Sequence, residues 1–410
     1  MTQTAVISDL PLFDIVISGG GMAGSTLAWA LLQANPALKL AIIEQQAETI
    51  SQASFDSRSI ALAHGSVELL QQWGLWQHLQ QSGCAIKHIH ISDRGHFGKT
   101  YLNAADHQLT ALGQVIEVEA IGEVLWQKLK AFTAQGRLSW FYSDAIAALN
   151  PTSELQHISL QSGAVLQSKL LVIAEGGLSP SRSLAGFELK SDDYQQHALI
   201  ANIGLADSHQ HKAFERFTPT GPLALLPLTR QRYSLVWTLT PEQAEHHLNQ
   251  PAQEFLAALQ QAAGHRAGVF KTVGQRVVYP LSLKRATEAA RHRTVLLGNS
   301  LHNLHPIAGQ GFNLAIRDIF SLSLLLQKHQ TDAGCYSLTK AYQQARLPDM
   351  QQVILYTDSL VRLFSNSSRL MALGRNTGLF ALNLCPDLKQ AVANQAMGLN
   401  SIRQLKALLS

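Results

Sequence analysis

Two histidines and a pair of glycines stand close together in the stretch VLLGNSLHNLHPIAGQGFNLAIRD, which runs from Val295 to Asp318. An apolar run predicts a strand that ends at a Gly-Asn turn. A polar loop with His302, His305 and Pro306 then leads to Gly-Gln-Gly and a helix. Imidazoles exchange protons near neutral pH, and the N-terminus of a glycine-preceded helix binds anions through its backbone N–H groups. Nothing in a hydrophobic core needs a glycine-rich helix entry beside two histidines and a proline, so the stretch predicts a functional site.

The same two histidines also have a structural interpretation. Their rings could hydrogen-bond the loop backbone and shape the turn before Pro306. We favour this structural role for His302, whereas for His305 a base or proton-relay role and a structural role both stay open.

The other glycine cluster lies in FDIVISGGGMAGSTLAWALLQ, which begins at Phe13. The apolar run predicts a buried strand, Gly19, Gly21 and Gly24 fit G-x-G-x-x-G, and a helical apolar pattern follows. A second apolar run, LKLAIIEQ, ends in Glu44, whose carboxylate suits ribose hydroxyls. This order predicts a dinucleotide site with its pyrophosphate at the helix N-terminus. A glycine-rich turn of an ordinary α/β protein is the alternative, and these residues alone leave NAD and FAD open.

The separation of the two glycine clusters along the chain favours FAD. A simple NAD-dependent dehydrogenase holds its cofactor within one dinucleotide-binding region near the N-terminus. An extended FAD places its flavin far from its adenine, so it needs contacts from distant parts of the chain. The second cluster near residue 300 supplies such contacts.

The stretch 295–318 resembles the second cofactor motif of the flavoprotein aromatic hydroxylases, the family typified by para-hydroxybenzoate hydroxylase. That motif is a strand ending in Gly-Asp, followed by a loop with Pro and Gly-x-Gly. Similarity to the ubiquinone-biosynthesis branch of the family extends to DSRSIAL, FTPTGPLALLPL and the C-terminal TDSLVRLFSN. The resemblance covers essentially the whole chain. It implies FAD as cofactor, NADH or NADPH as reductant and O₂ as co-substrate.

Cofactor-binding residues follow from the motifs, some by pattern and some only by resemblance. They are Gly19, Gly21, Gly24, Glu44, Arg58, Glu117, Glu175, Gly176, Arg182, Asn299, Pro306, Gly309, Gln310, Gly311 and Asn313. Asn299 stands where the family has Asp, yet its amide still donates to and accepts from ribityl hydroxyls. Glu175-Gly176 likewise replaces the family's Asp-Gly pair, which puts a direct contact from the longer carboxylate in doubt.

The resemblance also implies the reaction. Reduced flavin and O₂ would form a C4a-hydroperoxide, whose distal oxygen is transferred to an electron-rich phenol ring. The helix that starts near Gly309 is expected to direct its N-terminus at the flavin pyrimidine ring and stabilise negative charge there. His305 is the candidate catalytic residue, as base or relay for the phenol. No metal or covalent nucleophile is needed, and neither H-E-x-x-H nor G-x-S-x-G is present.

The substrate side of the site is expected in FTPTGPLALLPL, as strands that lie over the flavin. Pro222 and Leu225 are the candidate lining residues, with a role in the core as the alternative. An apolar cavity there would suit a lipophilic polyprenyl phenol. No second complete dinucleotide fingerprint exists, which fits transient binding of the reductant and argues against reductases with two dinucleotide domains.

Composition and charge set limits on the class of protein. The 410 residues are 46% apolar and 15% charged with a net charge of +4, and they contain no long basic run, so no nucleic-acid partner is expected. Three cysteines without metal or disulfide spacing favour a reducing compartment. No signal peptide or transmembrane helix is expected, so the predicted location is cytoplasmic. Arginines in the C-terminal region leave open a peripheral contact with the inner membrane or with an assembly of ubiquinone-biosynthesis proteins.

The expected architecture is α/β: a Rossmann-like FAD-binding domain interleaved with a β-sheet substrate domain, followed by C-terminal helices. Residues 1–75, 105–185 and 286–345 are assigned to the FAD-binding domain. Residues 76–104 and 186–285 are assigned to the substrate domain, and 346–410 to the helical segment. The apolar face of that segment, with Val353, Ile354, Leu360, Val361 and Phe364, is expected to be core.

Two other functions compete with a polyprenyl-phenol hydroxylase. One is a flavin monooxygenase that acts on another small aromatic compound. The other is a flavin-bearing structural member of a biosynthetic assembly. The sequence does not fix the ring position, the prenyl length, the choice of NADH or NADPH, or the oligomeric state.

Overall fold

The computed structural model describes residues 10–48, 57–94, 98–304, 310–329, 331–364 and 386–409. These residues form three sheets with helices packed against them. The strands are β1 Leu12–Ser18, β2 Leu40–Glu44, β3 Ser59–Ala63, β4 Cys84–Ile86, β5 His88–Asp93, β6 Lys99–Asn103, β7 Gly113–Glu117, β8 Leu138–Tyr142, β9 Ile146–Pro151, β10 Gln156–Leu160, β11 Val165–Ile173, β12 Leu189–Leu205, β13 Lys212–Thr218, β14 Gly221–Leu228, β15 Arg232–Leu239, β16 Phe270–Val273, β17 Val277–Ala286, β18 Ala290–Arg291, β19 Thr294–Leu296 and β20 His302–Asn303.

Helices connect the strands and cover the sheets. They are α1 Met22–Ala34, α2 His64–Gln72, α3 Trp76–Leu79, α4 Val118–Ala134, α5 Pro180–Leu184, α6 Pro241–Asn249, α7 Ala252–Ala263, α8 Gln310–Lys328, α9 Tyr336–Phe364, α10 Pro386–Ala396 and α11 Leu399–Leu409. Short 3₁₀ turns occur at Ala104–His107, His265–Ala267 and Gly298–Ser300.

The eight-stranded sheet has the order β18-β19-β11-β1-β2-β8, and β10 and β9 extend it through β11. The strands β19, β11, β1, β2 and β8 are parallel. Strands of such a sheet are covered on both faces and read as continuous apolar runs. In β1 and β2, Ile15, Ile17 and Ile42 are completely buried. The predicted α/β class with a Rossmann-like arrangement is confirmed.

The nine-stranded sheet has the order β20-β17-β12-β15-β14-β13-β5-β6, and β16 pairs with β12. It is antiparallel except for the β13–β5 pair. One of its faces is buried with α7, where Leu199, Leu225 and Phe255 belong to one core. Its strands lie within the predicted substrate segments 76–104 and 186–285, apart from β20 and the last residue of β17.

A three-stranded sheet with the order β3-β7-β4 lies between the two larger sheets. Its strand β4 comes from the predicted substrate segment but pairs with β7 of the predicted FAD-binding segment. On the other side, Ile86 and Val115 of this sheet pack against Ala213 and Leu228 of the nine-stranded sheet. The three-stranded sheet therefore joins the two larger units.

Helices α9 and α11 pack on the eight-stranded unit. Ala393 of α10 and Met397 directly after it pack instead against Leu102 and Leu112. Helix α9 contacts α8, and α11 contacts both α8 and α9. Val353 and Ile354 are buried, as their predicted core role requires. The side chains of Leu360, Val361 and Phe364 lie outside the described residues. Among the described helices, none combines the length and hydropathy that a membrane crossing needs.

Candidate cofactor and active site

The three glycines of the first motif meet different steric demands. Gly19 has φ +105°, and a Cβ there would lie 2.7 Å from the backbone of Ala174. A Cβ on Gly24 would lie 2.0 Å from the carbonyl oxygen of Gly19, so the start of α1 packs directly on the turn. A Cβ on Gly21 would meet nothing within 4 Å. Packing therefore requires Gly19 and Gly24, whereas Gly21 borders open space.

The open space at Gly21 lies at the N-terminus of α1. No side chain of the described residues caps this helix, so its first N–H groups are available to an anion. Glu44, at the end of β2, accepts a hydrogen bond from the N–H of Gly20 at 2.8 Å. Trp140, which the sequence did not single out, stands beside this turn and stacks on Tyr142 at 4.9 Å. The turn, the acid and the helix N-terminus thus form one continuous groove wall.

The second glycine motif reaches the same place. A Cβ on Gly298 would lie 3.3 Å from the Cβ of Ala23 in α1 and 3.4 Å from that of Ala315 in α8. Gly298 has φ +61°, and it begins the 3₁₀ turn Gly298–Ser300 between the two helices. Asn299, in the middle of this turn, is exposed. The turn therefore presents Asn299 next to the N-terminal end of α1.

A third turn, at Glu175–Gly177, completes the cluster. The hydroxyl of Ser300 accepts from the N–H of Gly176 at 3.1 Å. Arg182 is buried, and its guanidinium donates to the carbonyls of Ser300 at 3.0 Å and Gly177 at 3.1 Å. Burial lowers the pKa of Arg182, and the Glu175 carboxylate opposes that effect. The observed contacts of Arg182 thus hold two of the three turns together.

Glu175 is fully engaged by protein groups. Its carboxylate accepts from the hydroxyls of Ser18 and Ser181, and from that of Ser179 at 2.8 Å. The N–H of Ser181 also donates to it. These donors tie the end of β1 to the start of α5. In the described structure Glu175 stabilises the turn, which leaves Gly176 as the residue of this pair that faces the cluster.

His302 is completely buried, and its Nε2 donates to Asp318 Oδ2 at 2.8 Å. The structural role that we favoured for His302 fits this contact, although the partner is a carboxylate and not the loop backbone. β20, which contains His302, pairs with β17 through Arg285 and Lys284. His302 therefore fixes the strand that follows the 298–300 turn.

A buried network of charges lies beneath the same turn. Asp318 accepts from the N–H of Gly298 at 2.9 Å and from Arg346 at 2.6 Å. Asp349 joins Arg346 at 2.7 Å to Arg317 at 2.8 Å. Burial acts to raise the pKa of Asp318, but His302 and Arg346 outweigh it and hold that pKa below its ordinary value. The network connects α8 and α9 to the turn that carries Asn299.

Helix α8 begins at Gln310, which is buried. Within the described part of the chain, a Cβ on Gly311 would meet nothing within 4 Å, as for Gly21 in α1. Asn313 accepts from the N–H of Ala63 at 2.8 Å and donates to the carbonyl of Ala61 at 2.9 Å, so its amide attaches α8 to β3. The predicted site residues His305, Pro306 and Gly309 lie outside the described residues.

Arg58 and Glu117 lie where the three-stranded sheet meets the nine-stranded sheet. Arg58 is exposed beside β3. Glu117 forms a buried ion pair with Arg232 of β15 at 2.9 Å. Close by, Asn202 of β12 donates to the carbonyl of Ser57 at 2.9 Å. The observed contact of Glu117 thus joins the cofactor-binding unit to the nine-stranded sheet.

The two predicted substrate residues fall on opposite faces of β14. Leu225 is completely buried in the core with Leu235 and Leu259. Because side chains alternate along a strand, Pro222, Ala224 and Leu226 lie on the other face. That face is the one that carries the contacts to Glu117 and Ser57. The alternation supports Pro222 as a lining residue. Leu225 belongs to the core, which was the alternative for it, and Ala224 and Leu226 are the neighbours that face the cofactor unit.

Cys84, His209 and His211 form a compact cluster in which metal binding has to be considered. His209 Nδ1 accepts from the N–H of His211 at 3.0 Å, and its Nε2 lies 2.9 Å from the carbonyl of Leu228. Nε2 must therefore carry the proton, and a metal at Nε2 would require an imidazolate. Burial raises the pKa of Cys84 to about 11, so its thiol is protonated at neutral pH. These hydrogen bonds account for the cluster as a structural one.

The groove formed by these turns fits an extended FAD. At the starts of α1 and α8, a Cβ on Gly21 or Gly311 would meet no described atom within 4 Å. Glu44 at one end suits adenosine hydroxyls, and the exposed Asn299 in the middle suits a ribityl chain. The residues present therefore fit the cofactor that the sequence predicts.

Comparisons with known proteins agree with this fit. The family model described as FAD binding domain matches residues 13–357. Ubiquinone hydroxylase UbiL of Rhodospirillum rubrum is 32% identical over 390 residues, which are 94% of this chain and 89% of that protein. 3-Demethoxyubiquinol 3-hydroxylase of Escherichia coli is 28% identical over 94% of this chain and 98% of that protein.

A solved structure extends the likeness to the fold. That of p-nitrophenol 4-monooxygenase PnpA from Pseudomonas putida superposes with a TM-score of 0.76 at 14% identity, covering 95% of this chain and 99% of that one. At this identity the match speaks for the fold alone. Family model, relatives and groove together place the chain in the FAD-binding monooxygenase family, to which it belongs.

Proposed function

We propose that this protein hydroxylates the ring of a polyprenyl phenol in ubiquinone biosynthesis, with FAD as cofactor, NADH or NADPH as reductant and O₂ as co-substrate. The observation that carries the proposal is the convergence of three turns, at Gly19–Gly24, Glu175–Gly177 and Gly298–Ser300, beneath an apolar sheet face. The names of the relatives supply the pathway. An electron-rich phenol is the substrate class on which such a cofactor site can act.

The residues of the groove have distinct tasks toward the cofactor. The N-terminus of α1 and Gly21 receive the pyrophosphate, and Glu44 holds the adenosine ribose. Asn299 binds the ribityl chain, and the first turn of α8 at Gln310 and Gly311 stabilises negative charge on the flavin. Bound FAD supplies the activation of O₂ and the acceptance of electrons from the reductant. Glu175, Arg182 and Asn313 act through the turns that they hold.

The nine-stranded sheet supplies the substrate side. Its face toward the cofactor unit carries the buried Pro222 and the partly accessible Ala224 and Leu226, an apolar surface for a lipophilic phenol. Exclusion of water from this face prevents loss of the activated oxygen as H₂O₂. The same surface suits a prenyl chain better than a charged substituent.

The ring position is a separate part of the proposal. Within the ubiquinone-biosynthesis branch the sequence resembles 2-octaprenyl-6-methoxyphenol hydroxylase, and one relative is named 3-demethoxyubiquinol 3-hydroxylase. We assign the chain to the ubiquinone-biosynthesis branch, and the experiment below identifies which ring carbon is hydroxylated.

A gene-deletion strain tests the function. It is expected to accumulate a prenylated phenol that lacks one ring hydroxyl, and the mass and fragmentation of that compound identify the position. Expression of the wild-type chain should restore ubiquinone, whereas Gly21→Val should not, because the new side chain occupies the pyrophosphate space. Unchanged ubiquinone in the deletion strain, together with hydroxylation of a soluble phenol by the purified protein, would assign the enzyme to another small aromatic substrate.

We further propose that the C-terminal helices bring the protein to the membrane that holds its lipophilic substrate, as a peripheral contact or through an assembly of biosynthesis proteins. Leu355 on α9 and Leu408 on α11 are large apolar side chains with 69% and 63% of their surface exposed. Flotation with anionic vesicles should recover the wild-type protein, and Leu355→Ser with Leu408→Ser should reduce that recovery. Equal recovery of the wild-type protein and the double variant would exclude a membrane contact at these residues.

A further inference from the structure

Five side chains, one from each of five neighbouring strands of the nine-stranded sheet, are paired in register and form a row across the sheet. The register pairs Ile200 with Val236, Val236 with Ala224, Ala224 with Glu215, and Glu215 with Ile91. All five side chains are partly accessible. At about 4.8 Å per strand the row spans roughly 19 Å. It is an apolar surface with a single carboxylate in it.

The row lies on the face that is turned toward the cofactor unit. Two residues along β12 and on the same face, Asn202 donates to Ser57. Further along the same face of β15, Arg232 pairs with Glu117. The opposite face is closed by α7. Glu215 therefore stands on the same surface as Pro222, opposite the unit that holds the glycine turns.

Glu215 is partly accessible, but one of its two carboxylate oxygens is buried. Its Oε1 has no accessible surface and no hydrogen bond within the described part of the chain. Burial raises the pKa of Glu215 to about 7. An unpaired buried carboxylate destabilises the fold, so a protein tolerates it where a ligand completes its hydrogen bonds.

The titratable groups near Glu215 are few. Tyr356 of α9 lies close enough that the Glu215 carboxylate contributes to raising the pKa of its phenol, after burial. No hydrogen bond joins these two described side chains. On β5, Asp93 follows two residues beyond Ile91 on the same face, next to Phe217 in register. Arg216 points to the other face, where it donates to the carbonyl of Ala263. Among the described residues, no cation is in place to hold Glu215 ionised.

We propose that Glu215 is the catalytic residue that accepts the proton of the bound phenol, with Tyr356 beside it at the ring. This inference rests on the proposed function as a ring hydroxylase. The phenol O–H breaks, its proton passes to Glu215, and the ring gains the electron density that oxygen transfer requires. Overall the phenol, O₂, NAD(P)H and one proton give the hydroxylated phenol, water and NAD(P)⁺. The proton on Glu215 returns to product or solvent.

Binding of a phenol probe tests the proposal without turnover. Para-nitrophenol is titrated by its visible absorbance into FAD-loaded protein with no reductant present. In the pH range where the free probe is already ionised, wild type must take up one proton to bind the phenolate. Its dissociation constant should therefore rise tenfold per pH unit above about 7. Glu215→Gln mimics the protonated carboxyl, so its dissociation constant should not change with pH.

Two further variants serve as controls. Glu245→Gln removes an exposed carboxylate from α6 of the same unit and should keep the wild-type slope. Glu215→Asp retains the charge and should keep the slope with weaker binding. Because the folded-state pKa of Glu215 is raised to about 7, ionisation of this carboxyl group destabilises the fold as the pH rises through that value. Glu215→Gln should therefore be at least as stable as wild type at pH 8. Urea unfolding at that pH checks that the variant folds.

Turnover supplies the second readout. Glu215→Gln should form hydroxylated product roughly 10²–10⁴ times more slowly than wild type near neutral pH. Product per NAD(P)H should recover as the pH is raised and the phenol ionises unaided. Equal pH slopes for wild type and Glu215→Gln, or failure of wild type to bind any phenol, would overturn the inference. A third outcome separates the two proposals. If Glu215→Gln loses the pH slope but wild type hydroxylates no prenylphenol, Glu215 is still the proton acceptor and only the proposed function is overturned.

Discussion

Replacement of Asp318 by Asn tests whether the buried charge network supports the cofactor turn. Asp318 is completely buried and accepts from Gly298 at 2.9 Å, His302 at 2.8 Å and Arg346 at 2.6 Å. The amide of Asn offers one acceptor oxygen and turns an NH₂ toward the remaining donors. It also leaves Arg346 with one anion fewer in a completely buried site.

The magnitude follows from burial. Breaking a buried ion pair by removing one partner destabilises a protein by about 3–5 kcal/mol. That is a large fraction of the roughly 5–15 kcal/mol by which a folded domain is stable. The N–H of Gly298 loses a charged acceptor, and such hydrogen bonds contribute about 1.5–3 kcal/mol. If about half of that energy is needed to place Asn299, the dissociation constant for FAD rises roughly three- to twelvefold.

The assay is urea unfolding of the FAD-free protein, followed by FAD titration of the native variant. Glu288→Gln is the matched control, because its Arg291 pair has a similar distance of 2.6 Å but both side chains are 40% exposed. Exposed pairs of this kind contribute about 0–1 kcal/mol. Equal urea midpoints for Asp318→Asn and Glu288→Gln would refute the reasoning.

Acid titration gives an independent check on the same carboxylate. The folded-state pKa of Asp318 is lowered, so its contribution to stability is present above the ordinary pKa of Asp and is lost as pH falls through the folded value. The difference in unfolding free energy between wild type and Asp318→Asn should therefore shrink on acidification. A difference that grows at low pH would contradict the assigned charge state.

Three further substitutions test the groove. Gly21→Val should fold but purify without FAD, whereas Gly24→Ala should disturb the fold itself, because its Cβ would lie 2.0 Å from a backbone oxygen; circular dichroism and flavin absorbance separate the two. Asn299→Leu should weaken FAD binding by about 1–3 kcal/mol, since a ribityl hydroxyl loses its partner, and Asn299→Asp should bind normally; equal affinity of the Leu variant would exclude the contact. His305→Ala, saturated with FAD, should keep its product per NAD(P)H across pH if Glu215 is the proton acceptor. A loss of coupling that high pH relieves would assign the proton transfer to His305.

The local part of the site could be predicted from the sequence, because it depends on backbone geometry within a few residues. The turn at Gly19 and the close packing at Gly24 follow from strand, glycine spacing and helix, and the structure gives each its steric reason. The position of Glu44 at the end of β2 follows in the same way. The family model confirms the predicted FAD-binding family, and the parallel sheet with its covering helices confirms the α/β class.

The parts that could not be predicted depend on contacts between distant segments. Nothing local to Arg182 indicates that its partner is the carbonyl of Ser300, and nothing local to Asp318 indicates Arg346. Leu225 illustrates a second limit, because a strand pattern does not tell which alternate set of side chains faces the ligand when both sets are apolar. Glu215 could not be predicted either, because its apolar neighbours come from four other strands of the sheet.

The interleaving of the sheets has a consequence for synthesis of the chain. Ile17 of the central strand β1 pairs with Val172, and Val172 pairs in turn with Val295. Strands β5, β6 and β12 to β17 of the other sheet emerge from the ribosome between these partners. The eight-stranded sheet therefore stays incomplete, with apolar edges unpaired, until almost three quarters of the protein exists. Such late, non-local pairing slows folding and exposes intermediates to aggregation. The FAD groove can therefore be complete only after both glycine motifs have been synthesised.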